Sequence, residues 1–413
     1  MHYQLSTLPN GLRVITEEMP SLRSVAIGCW VDTGTRDEAA NEAGASHFLE
    51  HLLFKGSEKL SARQIAETFD SIGAQSNAFT TKDHTCYWAR LVDTEIPTSL
   101  DVLGEMLQRP AFREKEIDSE RSVVIEEINM NEDDPSDTAF EEFTSTVFGG
   151  HSLERPVLGT RESIKAMTPD DIAGYWSRRY GAVSTVVAAA GSINHEEFVE
   201  MVADRFGAWE VVDTGHDSAT IEPRTTTSII TRDTEQANLV YGGIGLDRSD
   251  ERRWAFDILN HVLGGGMSSR LFNEIREERG LAYAVSSFRL AYADTGAWGV
   301  YVGTTPGKAG TALSLIDTEL ERIVKDGITT EELDRARGAM QGSLALVLED
   351  PNSRMVRLGR DELTGAPHFS VDERLAKILA VELDDIQTVA EQLFTNDRVL
   401  AAVGPFKEGE LTW

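Results

Sequence analysis

The chain lacks the features of a small stapled module. Its 413 residues include two cysteines, Cys29 and Cys86, far apart and without a CxxC pair. That excludes a disulfide scaffold and a Cys-rich zinc module. Positive charge is scarce. There are 39 Lys+Arg against 69 Asp+Glu, a formal net charge of −30. Such a chain repels phosphate backbones and anionic lipid heads, so no nucleic-acid or membrane partner is expected. Cationic or unfolded peptides suit the charge better. No apolar run reaches membrane-spanning length. The start, MHYQLSTLPNGLRV, has no charged segment leading into an apolar one and is not an Arg/Ser-rich leader. A cytoplasmic protein is the expectation. Apolar residues at 41% exclude disorder, and the length calls for two or more domains.

The chain repeats itself at a spacing of a little over 200 residues. SVAIGCWVDTGTRDE (24–38) has the layout of ANLVYGGIGLDRSDE (237–251), and ASHFLEHLLFKG (45–56) that of AFDILNHVLGGG (255–266). FREKEIDSERSVVIEEINMNEDDP (112–135) pairs with TTEELDRARGAMQGSLALVLEDP (329–351), both ending in Asp-Pro. Between the halves, roughly Glu210 to Thr227, the chain is rich in Asp, Thr, Ser and Gly and reads as a linker. This predicts a first domain over 1–212, a linker over 213–227 and a second domain over 228–413. SVAIGCWV, CYWARLV, TVVAAAGSI, NLVYGGIGL, GAWGVYVGT and RVLAAVG read as strands. Amphipathic helices are expected over 43–55, 62–72, 95–108, 113–131, 169–178, 196–207, 251–264, 268–279, 309–325 and 330–348. Strands followed by runs of helices suggest an α+β half used twice.

The strongest local signal is His47-Phe48-Leu49-Glu50-His51. Two His at i and i+4 share one side of a helix, so both imidazoles can bind one Zn²⁺. Glu50 lies between them in azimuth, the position of a general base for metal-assisted hydrolysis. The pattern is the inverzincin reversal of HExxH. The bland alternative is a solvated face. On the helical wheel, Ala45, Phe48, Leu49, Leu52 and Leu53 cluster within roughly 140°, and His47, Glu50 and His51 lie opposite. Phe54 falls inside that polar arc, which suggests a covered face.

A third ligand is needed. The helix from Glu114 to Asn131 has a core stripe of Ile117, Val124 and Ile128. Glu120 and Glu127 share its flank, and Glu126 points to solvent. The wheel therefore favours Glu127 over Glu126, although paired Glu on a flank is also ordinary solvation. Through the repeat, His47, Glu50 and His51 map to Asp257, Asn260 and His261, and Glu120 and Glu127 to Ala336 and Ser343. The second copy has lost the chemistry. Gly264-Gly265-Gly266 lacks the residues of a phosphate loop and reads as a turn.

These residues resemble the pitrilysin/insulinase family of zinc peptidases over essentially the whole chain. The likeness is strongest to two-domain bacterial processing-protease-like members and the β subunit of mitochondrial processing peptidase. The family has a ligand Glu about 76 residues after HxxEH and a Glu seven before it, as His51, Glu120 and Glu127 do here. The resemblance implies one Zn²⁺ per chain on His47, His51 and Glu127, with Glu50 as base on the zinc water. Glu120 would hydrogen-bond a ligand His. SNAFTTKDHTCYW (76–88) resembles the edge strand that receives substrate as an added β-strand, with Asn77 and Ala78 beside the scissile bond and Phe79 lining the site. RLFNEIREERGLAYAV (270–285) resembles the segment that brings an Arg and a Tyr to the substrate, here Arg276 and Tyr283. The implied fold is two tandem homologous α/β domains, each a sheet with helices packed on it, in a clamshell-like arrangement. The implied activity is a metalloendopeptidase acting on short or unfolded peptides in an enclosed chamber. It would work as a homodimer, or as a heterodimer with an inactive homologue. The rival from another class is a non-catalytic peptide-binding or scaffold subunit.

Overall fold

The computed structural model describes residues 3–212, 215 and 221–411. They group into two compact units, one drawn from Met1–Ile128, Arg155–Asp217 and Leu346–Ser370, the other from Asn129–Glu154, Ser218–Ala345 and Val371–Trp413. The first unit holds strands β1 (Gln4–Thr7), β2 (Arg13–Glu18), β3 (Ser24–Val31), β4 (Gln75–Thr80), β5 (Thr85–Val92) and β6 (Thr185–Gly191). They form a sheet of order β1-β2-β6-β3-β5-β4, with β2 and β6 parallel and the other neighbours antiparallel. The second unit holds β7 (Thr226–Thr231), β8 (Ala237–Gly245), β9 (Ala282–Ala291), β10 (Gly296–Thr304) and β11 (Val399–Gly404). Their order is β7-β11-β8-β10-β9, with β7 and β11 the parallel pair. With β1 set aside, the two orders coincide strand for strand. The repeat visible in the sequence is a repeat of topology, and both units are the expected sheets with helices packed on them.

The helices are α1 (Ala45–Leu53), α2 (Ala62–Ser71), α3 (Ile96–Gln108), α4 (Glu114–Asp133), α5 (Pro135–Val147), α6 (Arg161–Ala166) and α7 (Pro169–Arg179). They continue as α8 (His195–Phe206), α9 (Arg253–Asn260), α10 (Ala309–Asp326), α11 (Thr330–Val347), α12 (Pro351–Leu363), α13 (Val371–Ala380) and α14 (Leu383–Phe394). No helix among the described residues is long and apolar enough to cross a membrane. Within the expected linker, residues 213–214 and 216–220 lie outside the described residues, and Thr226 and Thr227 open β7.

The compact units do not follow the linear halves. The two Asp-Pro pairs explain how. Asp134 caps α5, accepting from the Ser136 and Asp137 amides, and Asp350 caps α12, accepting from the Ser353 amide; a Pro opens each helix. The helix after each cap belongs to the other half's unit. α5 packs on β8 and β11, and α12 packs on β2, β3 and β6.

β3 is covered on both faces, which is why it reads as a nearly unbroken apolar run. Val25, Ile27, Cys29 and Val31 join Phe48 and Leu49 of α1 in the main core. Ala26 and Trp30 face the other way, onto Met355 and Leu358 of α12. The approach is close. Trp30 Nε1 donates to Met355 Sδ at 3.4 Å, and a Cβ on Gly359 would sit 2.1 Å from that same nitrogen. α12 also brings Arg354 and Arg357 to the buried Glu17 of β2.

Candidate metal centre

α1 is amphipathic by spacing. Ala45, Phe48, Leu49, Leu52 and Leu53 are all buried. It begins at Gly44, whose φ of +88° suits glycine, and a Cβ there would lie 2.8 Å from the Leu158 carbonyl. The cap comes from six residues upstream. The buried Glu38 carboxylate accepts from the Gly44 amide at 2.8 Å and the Ser46 amide at 2.7 Å. This satisfies N–H groups that a helix start leaves open. Burial pushes the Glu38 carboxyl up to about 8 despite these bonds.

The same spacing brings His47, Glu50 and His51 to the opposite face. His47 Nε2 and His51 Nε2 lie 3.3 Å apart. Glu127 Oε2, from α4, lies 3.6 Å from the first and 3.4 Å from the second. Among the described residues this is the one group of three or more such side chains whose donor atoms converge in this way. Glu126 is exposed, as the wheel required, while Ile117, Val124 and Ile128 anchor α4.

Zinc fits this donor set. Ligands at roughly 2.1 Å on a tetrahedral ion are separated by about 3.4 Å, the spacing found here. Burial, helped by the neighbouring His51, lowers the His47 pKa to about 4, so its imidazole is neutral and able to bind a cation. Glu127 Oε2 is buried without a hydrogen-bond partner, as an atom kept for an ion would be.

The surroundings hold these side chains. His51 Nδ1 lies 3.2 Å from Glu120 Oε2, and Lys55 Nζ lies 2.8 Å from Glu120 Oε1. Glu50 receives a hydrogen bond from Thr80 Oγ1 at 2.6 Å. Desolvation raises the Glu50 pKa, opposed by the Thr80 bond. Phe54, the apolar residue of the polar arc, is partly buried beside Tyr87, with ring centroids 6.3 Å apart. Lys55 and Thr80 were not identified from the sequence. Lys55 is four residues after His51, in the turn just past the end of α1, and Thr80 is two after Ala78 on the same strand face, so each carried a spacing signal. The Glu38 cap carried none.

The remaining expected residues are placed as follows. β4 is the outer strand of its sheet. Asn77 is exposed and Ala78 is buried in the core that α1 shares. Phe79 points to the other face, against Trp30 and His84 at centroid distances of 5.5 and 6.2 Å. Arg276 and Tyr283 belong to the second unit. The Arg276 guanidinium lies 4.8 Å from the Phe272 ring centre, and Tyr283 of β9 is exposed with its hydroxyl donating to Gln236 Oε1. The helix expected over 268–279 forms widened turns over Phe272–Glu278.

The second unit carries the repeat of α1 in altered form. Buried positions 45, 46, 48, 49, 52 and 53 recur at 255, 256, 258, 259, 262 and 263. Asp257 therefore stands where His47 does, and it is bound by Arg289 at 2.6 Å. An ion pair engages the position that corresponds to His47.

Comparison with known proteins agrees with this division. Residues 13–161 match the insulinase model of peptidase family M16, and residues 166–340 match the model described as the peptidase M16 inactive domain. An uncharacterized zinc protease of Streptomyces coelicolor is 43% identical over 98% of this chain and 90% of its own length. An uncharacterized zinc protease of Bacillus subtilis is 41% identical over 97% of both chains. In fold, the chain is similar to a protease from Helicobacter pylori, with a TM-score of 0.92 at 22% identity over 97% of this chain and 99% of that one.

Proposed function

The chain belongs to the insulinase family of peptidases, family M16, and we propose that it is a zinc-dependent endopeptidase with Glu50 as its general base. The observation that carries this is the convergence of His47 Nε2, His51 Nε2 and Glu127 Oε2 at 3.3–3.6 Å with Glu50 on the same helical face.

His47, His51 and Glu127 are the residues that would hold the zinc. When bound, the ion supplies Lewis acidity toward water and a peptide carbonyl. Glu50 takes the proton of the attacking water and returns it to the departing amine. Its burial strengthens it as a base relative to an exposed carboxylate. Glu120 fixes the ring of His51. The open edge of β4 offers main-chain groups to an extended peptide, which favours short or unfolded substrates over folded ones. Arg276 and Tyr283 are assigned as hydrogen-bond donors, to a substrate carbonyl and to the oxyanion formed at the attacked carbon. The working form is assigned as a homodimer, or a heterodimer with an inactive homologue, which sedimentation at micromolar concentration checks.

The test is metal removal. Chelation should abolish cleavage of a quenched-fluorescent peptide mixture, and one equivalent of Zn²⁺ per chain should restore it. Cleavage that survives full removal of metal would contradict the assignment.

A further inference from the structure

We propose that Thr80 is the positioning residue for Glu50 and ties the base to the strand on which substrate docks. This rests on the reading of Glu50 as base and of β4 as docking strand. The Thr80 hydroxyl is the hydrogen-bond donor to the Glu50 carboxylate, reaching Oε2 at 2.6 Å. The contact engages one of the two carboxylate oxygens, Oε2.

The backbone makes this contact rigid. Side chains alternate along β4, so Ala78 and Thr80 face α1 while Phe79 packs on Trp30. Threonine is branched at Cβ and stiff at χ1, so its hydroxyl follows the strand backbone. Thr80 pairs with Thr85 at the end of the strand. The following turn is pinned by Thr81, whose amide donates to the His84 carbonyl at 2.8 Å and whose hydroxyl accepts from the His84 amide at 3.0 Å. Arg36 and Asp83 close it with a buried ion pair at 2.9 Å. Thr80 thus stands at the fixed end of the outermost strand of its sheet. A glutamate has three side-chain torsions, and the Thr80 bond removes that freedom before substrate arrives. A peptide that pairs along β4 takes its register from the strand that also sets the base.

The experiment compares Thr80→Val and Thr80→Ser with the wild type, all zinc-loaded. Steady-state kinetics and crystal structures are the two readouts. Thr80→Val keeps the shape and removes the donor. It should lower kcat by about 100-fold, the cost of a misplaced reacting group, with KM and zinc content unchanged. Thr80→Ser should recover much of the loss. In the Thr80→Val crystal the Glu50 carboxylate should leave its wild-type position or occupy several rotamers. A single, unmoved Glu50 rotamer in Thr80→Val overturns the proposal, whatever the rate. So does a fall in kcat that Thr80→Ser shares in full and that comes with a rise in KM, since that marks strand packing. If zinc-loaded Glu50→Gln keeps the wild-type kcat, the base reading fails instead, and the Glu50 rotamer still decides whether Thr80 positions it.

Discussion

Glu120 and Lys55 lock together behind His51 of the candidate metal site. One Glu120 oxygen lies 2.8 Å from the Lys55 ammonium, and the other lies 3.2 Å from His51 Nδ1. A carboxylate so placed accepts the Nδ1 proton of His51 and leaves Nε2 as the ligand atom. Glu120→Gln should weaken zinc binding by about 10–100-fold, the usual loss when such a support is removed. Competition with a chromophoric chelator measures it. An unchanged affinity would reduce Glu120 to packing.

The choice between adjacent glutamates is sharp. Glu126 is exposed, and Glu127 Oε2 lies within 3.6 Å of the imidazoles of both His47 and His51. Glu127→Gln should abolish stoichiometric zinc binding, and Glu126→Gln should bind like the wild type. Metal analysis of the two purified variants decides the matter. The reverse pattern would mean that α4 sits in another rotation.

Buried Glu38 predicts a pH effect on stability. Its carboxyl rises from 4.5 to about 8 on folding, chiefly through burial. Between those values the folded chain holds a proton that the unfolded chain has released, so stability falls as pH rises. The contribution is complete below the unfolded value of 4.5 and is lost as pH passes about 8. Thermal midpoints measured from pH 5 to pH 9 should decline more steeply in the wild type than in Glu38→Gln. Equal slopes would show that the two amide bonds keep Glu38 ionised.

Glu17 binds Arg354 and Arg357, and its side chain and that of Arg357 are 4% and 6% exposed. Removing one member of a buried ion pair costs about 3–5 kcal/mol. Glu17→Ala should lower the free energy of unfolding by that order, read from denaturant unfolding curves of the two proteins. A change within error would mean that water reaches the pair.

Much of this was legible in the sequence, for physical reasons. The six strands expected from apolar runs are β3, β5, β6, β8, β10 and β11, to within two residues at their ends. All six lie inside their sheets, where burial on both faces leaves a strong signal. Edge strands β1, β7 and β9 carry a weaker one. Spacing alone set His47, Glu50 and His51 on one helical face and favoured Glu127 over Glu126, while the joining of His47, His51 and Glu127 as one set came from the family resemblance. α5 and α12 were not expected. α12 reads as polar because Arg357 and Asp361 are charged, yet both are buried, with Glu17 neutralising Arg357 from a strand more than 300 residues away. No local pattern reveals a partner so distant, and the exchange of these helices between units is a tertiary property. The Thr80 contact was only half legible: its spacing from Ala78 gives the strand face, but a hydroxyl at a strand end gives no sign of the carboxylate it meets.

The most direct test is hydrolysis of a quenched-fluorescent peptide mixture by the wild type and by Glu50→Gln, with bound zinc quantified in both. The account predicts one zinc per chain in each, cleavage by the wild type, and a loss of at least about 100-fold in the variant, the lower range for removal of a general base. Equal cleavage by both proteins at equal zinc content would contradict it.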